Sequence, residues 1–303
     1  MRSERSLECG DEQVACAQKE KGQLHSGGCK GRLSIIGLGP GHKSYIPQQA
    51  LEALKASEVV LGYKTYLDLV KELLLGKSVI SSGMRKEVER CREAIDHALA
   101  GRNVALVSSG DAGIYGMAGL VLDICRQRRI DIQEWDKVLA VPNPGPGQSP
   151  QIPPAFFLRI IPGIAAFNAA ASILGAPLMH DFAAVSLSDH LTPWEVIEKR
   201  LGAAAEADFV LALYNPRSKS RPDLLQKAVE ILLRFRSAQT PVGIVRGATR
   251  QNQWKGLATL GELPVEQVDM QSMVIVGNSR TYVWNGWMVT PRGYLDKYSV
   301  EGA

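Results

Sequence analysis

The chain has 303 residues, of which 45% are apolar and 22% charged, with a net charge of +4. That is enough for one large or two medium α/β domains, and the composition is that of an ordinary soluble globular protein. The charge is too small to define a nucleic-acid-binding protein and suits an anionic small substrate; with no membrane-length apolar run and no apolar signal-peptide core, a cytoplasmic protein without membrane or nucleic-acid partners is expected.

Residues 1–30 read as a polar tail in which five basic residues balance five acidic ones, and the tail is expected to be dispensable. Leu33–Gly37 reads as a short buried strand ending in a glycine turn, and Pro47 opens a helix that runs to about Ser57. Glu58–Gly62 is the next expected strand, followed by helices over Lys64–Leu74 and Lys86–Ala100, the latter stopped by Gly101. Asn103–Ser109 is an apolar strand, and Met117–Arg128 the helix after its glycine-rich loop. This alternation predicts a largely parallel sheet covered on both faces.

The alternation breaks at residues 142–154, where six of thirteen residues are proline; this is read as an extended surface insertion near the end of the first domain. A second alternating block begins near Ile164. It has helices over Ala165–Leu174, Pro193–Ala205 and Pro222–Phe235, and strands over Ala183–Leu187, Phe209–Tyr214, Val242–Arg246 and Met273–Gly277. Thr281–Val283 and Trp287–Val289 read as a closing hairpin. The expected fold class is therefore two tandem α/β domains, at 31–162 and 163–303.

Five segments carry candidate chemistry. Gly37-Leu38-Gly39-Pro40-Gly41 follows the first strand. It fails as a dinucleotide fingerprint, because His42 stands where the third glycine belongs and the next strand ends in Gly62-Tyr63-Lys64 without an acid. It fails as a phosphate-binding P-loop for want of a glycine before Lys43-Ser44, and a purely structural tight turn stays open. Ser108–Gly116 is a second small-residue loop at a strand's carboxyl edge, where open α/β folds bind ligands. In it Asp111 is either an acceptor for an amino or ribose group or a helix N-cap. Ile161–Asn168 feeds a Pro-Gly turn into an alanine-rich helix, as close packing or as the wall of a cofactor slot. In Ser186–Glu195, Thr192 and Glu195 fit a capping box, which leaves Ser188, Asp189 and His190 unexplained. Leu213–Pro222 places Arg217, Lys219 and Arg221 in one loop with no acid before Asp223, either a solvated basic loop or a clamp for carboxylates. The cysteines Cys9, Cys16, Cys29, Cys91 and Cys125 are odd in number and form no C-x-x-C pair, so neither a disulfide framework nor a metal site is expected.

Taken in order, these segments resemble the tetrapyrrole (corrin/porphyrin) methylase family from about Leu33 to Tyr294. The stretches that carry the resemblance are Ile35–Gly41, Leu61–Tyr66, Gly83–Cys91, Val107–Gly119, Leu174–Ala183, Ser186–Asp189, Ala212–Ser218, Val242–Arg246 and Val274–Ser279. The resemblance implies a ligand cleft between two domains, S-adenosylmethionine folded into it, and a homodimer. By motif position the cofactor contacts are Pro40, Gly110, Asp111, Tyr115, Ile164, Ala165, Ala166, Tyr214, Asn215, Gly247 and Ala248. Asp111, Asp189 and His190 are the candidate acid–base residues, and Lys64, Arg85, Lys86, Arg217 and Lys219 the candidates for an anionic tetrapyrrole's carboxylates. The implied reaction is methylation of carbon 17 of a cobalamin precursor, with or without cobalt, coupled to ring contraction. Ala112 and Ala165 stand where the family has proline and threonine, His190 where it has an apolar residue, and the proline-rich insertion is unusual. Another precorrin methyltransferase is the alternative within the fold. A nucleotide-dependent oxidoreductase and a non-catalytic tetrapyrrole carrier are the alternatives outside it.

Overall fold

The computed structural model describes residues 30–135 and 154–299. The tail cysteines Cys9, Cys16 and Cys29, and the proline-rich insertion up to residue 153, lie outside the described residues.

The first domain contains β1 (Arg32–Gly37), α1 (Gln48–Ala56), β2 (Val59–Tyr63), α2 (Lys64–Leu69), β3 (Ser78–Ser82), α3 (Glu87–Leu99), β4 (Asn103–Ser108), α4 (Ala118–Gln127), β5 (Ile132–Glu134) and β6 (Phe156–Ile161). Its six strands lie in the order β3-β2-β4-β1-β6-β5, and every pair is parallel. Alternate strand residues explain the two covered faces. Leu33, Ile35, Val59, Leu61, Val104 and Leu106 pack under Ile95 of α3 and Val121 of α4. Ile36, Val60, Ala105 and Val107 pack under Ala50, Ala53 and Leu54 of α1. Cys91 and Cys125 are free and buried in the first of these layers, and burial pushes the Cys91 thiol up to about 12, which leaves it unreactive.

The second domain contains α5 (Ala166–Leu174), β7 (Gly175–Ala176), β8 (Phe182–Ser186), α6 (Trp194–Glu206), β9 (Val210–Tyr214), α7 (Leu224–Leu232), β10 (Pro241–Arg246), β11 (Trp254–Thr259), β12 (Ser272–Val276), β13 (Tyr282–Trp284), β14 (Trp287–Val289) and α8 (Tyr294–Lys297). Its main sheet runs β11-β10-β12-β9-β8. Only β8 and β9 pair in parallel; β9–β12, β12–β10 and β10–β11 are antiparallel. The second block therefore alternates strand and helix without making the parallel sheet of the first. β11, an edge strand whose apolar pattern is interrupted by Lys255 and Gly256, folds back on β10 as a hairpin, and β12 inserts antiparallel between β10 and β9. Helices α6 and α7 cover one face and α5 the other, with Leu174 against the strands. The closing hairpin forms as expected, its turn made by Asn285 (φ 47°) and Gly286 (φ 77°), the Asn-Gly pair that a two-residue hairpin turn with positive φ at both positions favours.

The capping box is corrected. Helix α6 starts at Trp194 with Pro193 at the cap position and no side-chain cap bond, so Thr192 does not fill that role. Proline's fixed φ starts this helix instead.

Candidate active site

Three loops meet at the carboxyl edge of the parallel sheet, after β1, β4 and β6. Gly39 N–H donates to Gly110 O at 3.0 Å and Gly110 N–H returns a bond to Gly39 O at 2.7 Å. Both residues have positive φ, 76° and 64°, which favours glycine. A Cβ on Gly163 would lie 2.1 Å from Gly110 O, and one on Gly37 2.6 Å from Gly163 N. These two glycines are thus required by loop-on-loop packing. Asp111 staples the assembly: Oδ1 accepts from Gly113 N (2.7 Å) and Ile114 N (3.1 Å), and Oδ2 from Gly163 N (3.0 Å). Helix α4 begins later, at Ala118, so Asp111 is an acceptor for loop amides and not that helix's cap.

Across this edge stands the second domain. Tyr115, at φ 52°, lays its ring 4.8 Å from that of Tyr214 and donates its hydroxyl to Ala184 O at 3.2 Å. Asn215, at φ 50°, donates from Nδ2 to Ser186 Oγ at 3.0 Å. Positive φ at two non-glycine residues facing one cleft is the kind of backbone strain that functional loops hold. Tyr214, Ala166, Phe167 and Ala248 pack against one apolar cluster, and Gly247 (φ 57°) anchors its loop by donating to Gln271 O at 3.1 Å. Pro40 is tied to the second domain as well, its carbonyl accepting from Arg250 Nε at 3.2 Å. The residues expected to bind the cofactor therefore come together from both domains.

An added Cβ on Gly110 would touch the Ile164–Ala166 turn, with Ala166 N at 3.6 Å and Ala165 Cα and Ile164 O at 3.8 Å, so the two loops lie in van der Waals range of each other. One feature fits an adenosyl ligand. The Tyr214 hydroxyl is buried without a hydrogen-bond partner. Desolvation pushes its ionisation up to about 12, only partly offset by the nearby Phe167 amide, so it remains a protonated donor. An unsatisfied buried donor costs stability until a ligand accepts from it. Tyr214→Phe is therefore expected to leave the melting temperature of the free protein unchanged or raised, and to weaken S-adenosylhomocysteine about five- to tenfold. Differential scanning fluorimetry and calorimetric titration check the two halves; unchanged affinity removes the hydroxyl from the site.

The charged residues divide sharply. Arg217 donates from Nη2 to Glu266 Oε2 (2.6 Å), from Nη1 to Glu266 O (3.2 Å) and from Nε to Pro222 O (3.2 Å). All three of its nitrogens help to shape the loop, which uses three of the guanidinium's five N–H donors. Arg221 donates from Nη1 to Ser188 Oγ (2.7 Å) and Asp189 Oδ1 (2.9 Å), which makes it a partner of Asp189 that the sequence reading did not single out. Lys219 and His190 are exposed. In the first domain Lys64 and Arg85 are exposed, Arg85 with φ 63°, and Lys86 pairs with Glu89 at 2.6 Å. Among the described residues no cluster of three His, Cys, Asp or Glu side chains is placed to hold a metal, and no helix is long and apolar enough to cross a membrane. A hollow of about 330 Å³ beside Asp208, Arg236 and Ser279 lies at the start of β9 and β10, the opposite edge of the second sheet from Tyr214.

Glycine loops interlocked at a parallel-sheet edge, facing a second α/β domain across a tyrosine pair, match the family described as Tetrapyrrole (Corrin/Porphyrin) Methylases over residues 32–149 and 150–264, and the chain belongs to that family. It is 53% identical over 262 residues to the probable cobalt-factor III C(17)-methyltransferase of Salmonella typhimurium, spanning 86% of this chain and 99% of that one. It is 38% identical over 253 residues to the precorrin-3B C(17)-methyltransferase of Sinorhizobium sp, spanning 84% and 91%. The crystal structure of the methyltransferase CobJ superposes with a TM-score of 0.74 at 33% identity, covering 86% of this chain and 100% of that one.

Proposed function

We propose that the protein is an S-adenosylmethionine-dependent methyltransferase acting on carbon 17 of cobalt-factor III or precorrin-3B, with ring contraction, in cobalamin biosynthesis. The observation that carries the reading is the interdomain cleft edge itself: glycine loops stapled by Asp111 that face an orphaned Tyr214 donor, in a chain 53% identical to a relative named for that reaction. When bound, S-adenosylmethionine supplies a methyl group on a sulfonium, transferred in line to an electron-rich carbon while the C–S bond breaks.

Such a displacement is an orientation problem. The Asp111 staple and the Gly39–Gly110 bridge hold the cofactor side rigid, and the Tyr115–Tyr214 contact joins it to the second domain. Contraction of the ring moves protons and calls for an acid or base. Asp111 already accepts from three amides, which leaves Asp189, held by Arg221 with its side chain 39% exposed, as the better placed carboxylate. Lys64, Arg85, Lys86 and Lys219 supply positive charge for the macrocycle's carboxylates. Asp189→Ala is expected to lower kcat by roughly tenfold to a hundredfold, and His190→Leu to change it little. Single-turnover kinetics read the order, and the reverse order makes His190 the acid–base residue.

The enzyme is proposed to work as a cytoplasmic homodimer. Tyr282 (47% exposed), Trp284 (65%), Trp287 (48%) and Tyr294 (60%) form an aromatic surface on and beside the closing hairpin that a second copy would cover. Calorimetric titration tests the cofactor assignment: S-adenosylhomocysteine should bind and NADH should not. NADH binding without S-adenosylhomocysteine binding overturns it.

A further inference from the structure

With Arg217 and Arg221 paired inside the second domain, an arginine at the cleft that holds no carboxylate is the stronger candidate for the cationic contact with the substrate. The loop between β10 and β11 offers one. Arg250 N–H donates to Gly247 O at 2.9 Å, Gln253 N–H donates to Arg250 O at 3.0 Å, and Thr249 N–H donates to Gln253 Oε1 at 2.8 Å, which makes a tight turn. Thr249 sits at φ 64°, a costly conformation for a β-branched residue. The turn is held against the first domain by Thr249 Oγ1, which accepts from His42 N at 3.2 Å, and by Arg250 Nε, which donates to Pro40 O at 3.2 Å. The Arg250 stem lies across Gly41, where a Cβ would come within 2.5 Å of its Cγ.

The guanidinium is thus fixed at one nitrogen only. Among the described residues neither Nη of Arg250 has a hydrogen-bond or ion-pair partner, and the residue is half-buried. Its charge is felt by Tyr66, whose hydroxyl is held above its usual range by burial while the charges of Arg250 and Arg90 pull the other way; Tyr63 and Glu87 add to the rise. Arg90 is itself buried and bonded to Ser82 Oγ, Gly83 O and Met117 Sδ, none of them a carboxylate. Tyr66 packs edge-on to Tyr63, with ring centroids 5.3 Å apart, beside exposed Lys64. A pre-anchored arginine fork, an aromatic pair and a lysine form a rim suited to a flat macrocycle edged with carboxylates.

We infer that Arg250 binds a peripheral carboxylate of the tetrapyrrole, reaching from the second domain to the cofactor loop of the first through Pro40. The assignment rests on the tetrapyrrole reading above and adds a second consequence. Because Nε holds the Pro40 carbonyl, a carboxylate on the Nη atoms tightens the same link between domains, so cofactor and macrocycle should bind with positive cooperativity.

The test is a fluorescence titration of the full chain with uroporphyrin III, a polycarboxylate macrocycle of the same class, at low and high salt, with and without S-adenosylhomocysteine. Arg250→Ala should weaken macrocycle binding about tenfold or more and flatten its salt dependence. Arg250→Lys should recover part of the affinity, since it keeps the charge and loses the fork. S-adenosylhomocysteine should tighten the macrocycle on the unaltered chain and lose that effect in Arg250→Ala. The melting temperature of both variants should stay close to that of the unaltered chain. If Arg250→Ala binds the macrocycle as tightly, with the same salt dependence, Arg250 only latches the two loops and the assignment is overturned. If the unaltered chain binds S-adenosylhomocysteine but no uroporphyrin III, the tetrapyrrole reading fails and takes this assignment with it.

Discussion

Gly163→Ala is expected to lower stability by roughly 3–5 kcal/mol, at the upper end for a single methyl group, and to abolish cofactor binding. The new Cβ would stand 2.1 Å from Gly110 O and 2.7 Å from both the carbonyl carbon and the oxygen of Gly37. All three neighbours are backbone atoms, in the last residue of β1 and in the loop directly after β4, and the strands they end are locked in register by β1–β4 and β1–β6 pairing. No side chain is present to swing away, so the loops must separate and the Asp111–Gly163 bond is lost with them. The melting temperature should fall by about 10 °C or more. Gly119→Ala is the matched control. It sits in α4 with nothing within 4 Å of the added Cβ and should gain about 0.5–1 kcal/mol. Thermal melts of the two variants side by side separate steric exclusion from a general intolerance of substitution. A Gly163→Ala protein that melts with the wild type contradicts the interlocked-loop account.

The second large effect is at Asp111. Alanine removes the acceptor for three backbone N–H groups, of which Gly163 N is partly buried and the other two are exposed and can turn to water. The loss is therefore dominated by one bond and its unsatisfied donor, roughly 1–3 kcal/mol. Asparagine should fare little better. Whichever way its amide is turned, an NH2 group faces a backbone N–H where the carboxylate presented oxygen to both sides. Because the same loop carries Tyr115 at positive φ, both variants should also weaken S-adenosylhomocysteine at least about tenfold. Calorimetry on Asp111→Asn is the sharper check: full affinity there means that the carboxylate's second oxygen is not needed.

In the first sheet β1, β2 and β4 were readable because they are short and apolar and the helices between them have clear stops; serine-rich β3 and the short, polar-ended β5 carry too little apolar pattern to be seen. β6 escaped because it follows the proline-rich stretch and carries Arg159 in its middle, which breaks the apolar run Phe156–Ile161. The reversal of the second sheet escaped because strand sense depends on pairing partners and not on local pattern. The candidate cofactor residues were legible as small-residue loops after strands, although Gly37 and Gly163 turn out to make room for each other's backbone. Which cations are spent was not legible at all: Arg217 meets Glu266 across 49 residues of sequence and Arg250 meets Pro40 across 210. Spacing within a loop carries no information about such partners, so a loop that reads as a cluster of free charge becomes, once folded, two paired arginines and one exposed lysine.

The central claim is that this cleft passes a methyl group from S-adenosylmethionine to carbon 17 of a cobalamin precursor. The most direct test incubates the purified protein with methyl-labelled S-adenosylmethionine and either precorrin-3B or cobalt-factor III, then locates the label by mass spectrometry and carbon NMR. The account predicts one labelled methyl on carbon 17 of a ring-contracted product, formed by the wild type and lost in Gly163→Ala. Label at another carbon, or transfer to neither macrocycle by a protein that binds S-adenosylhomocysteine, would contradict it.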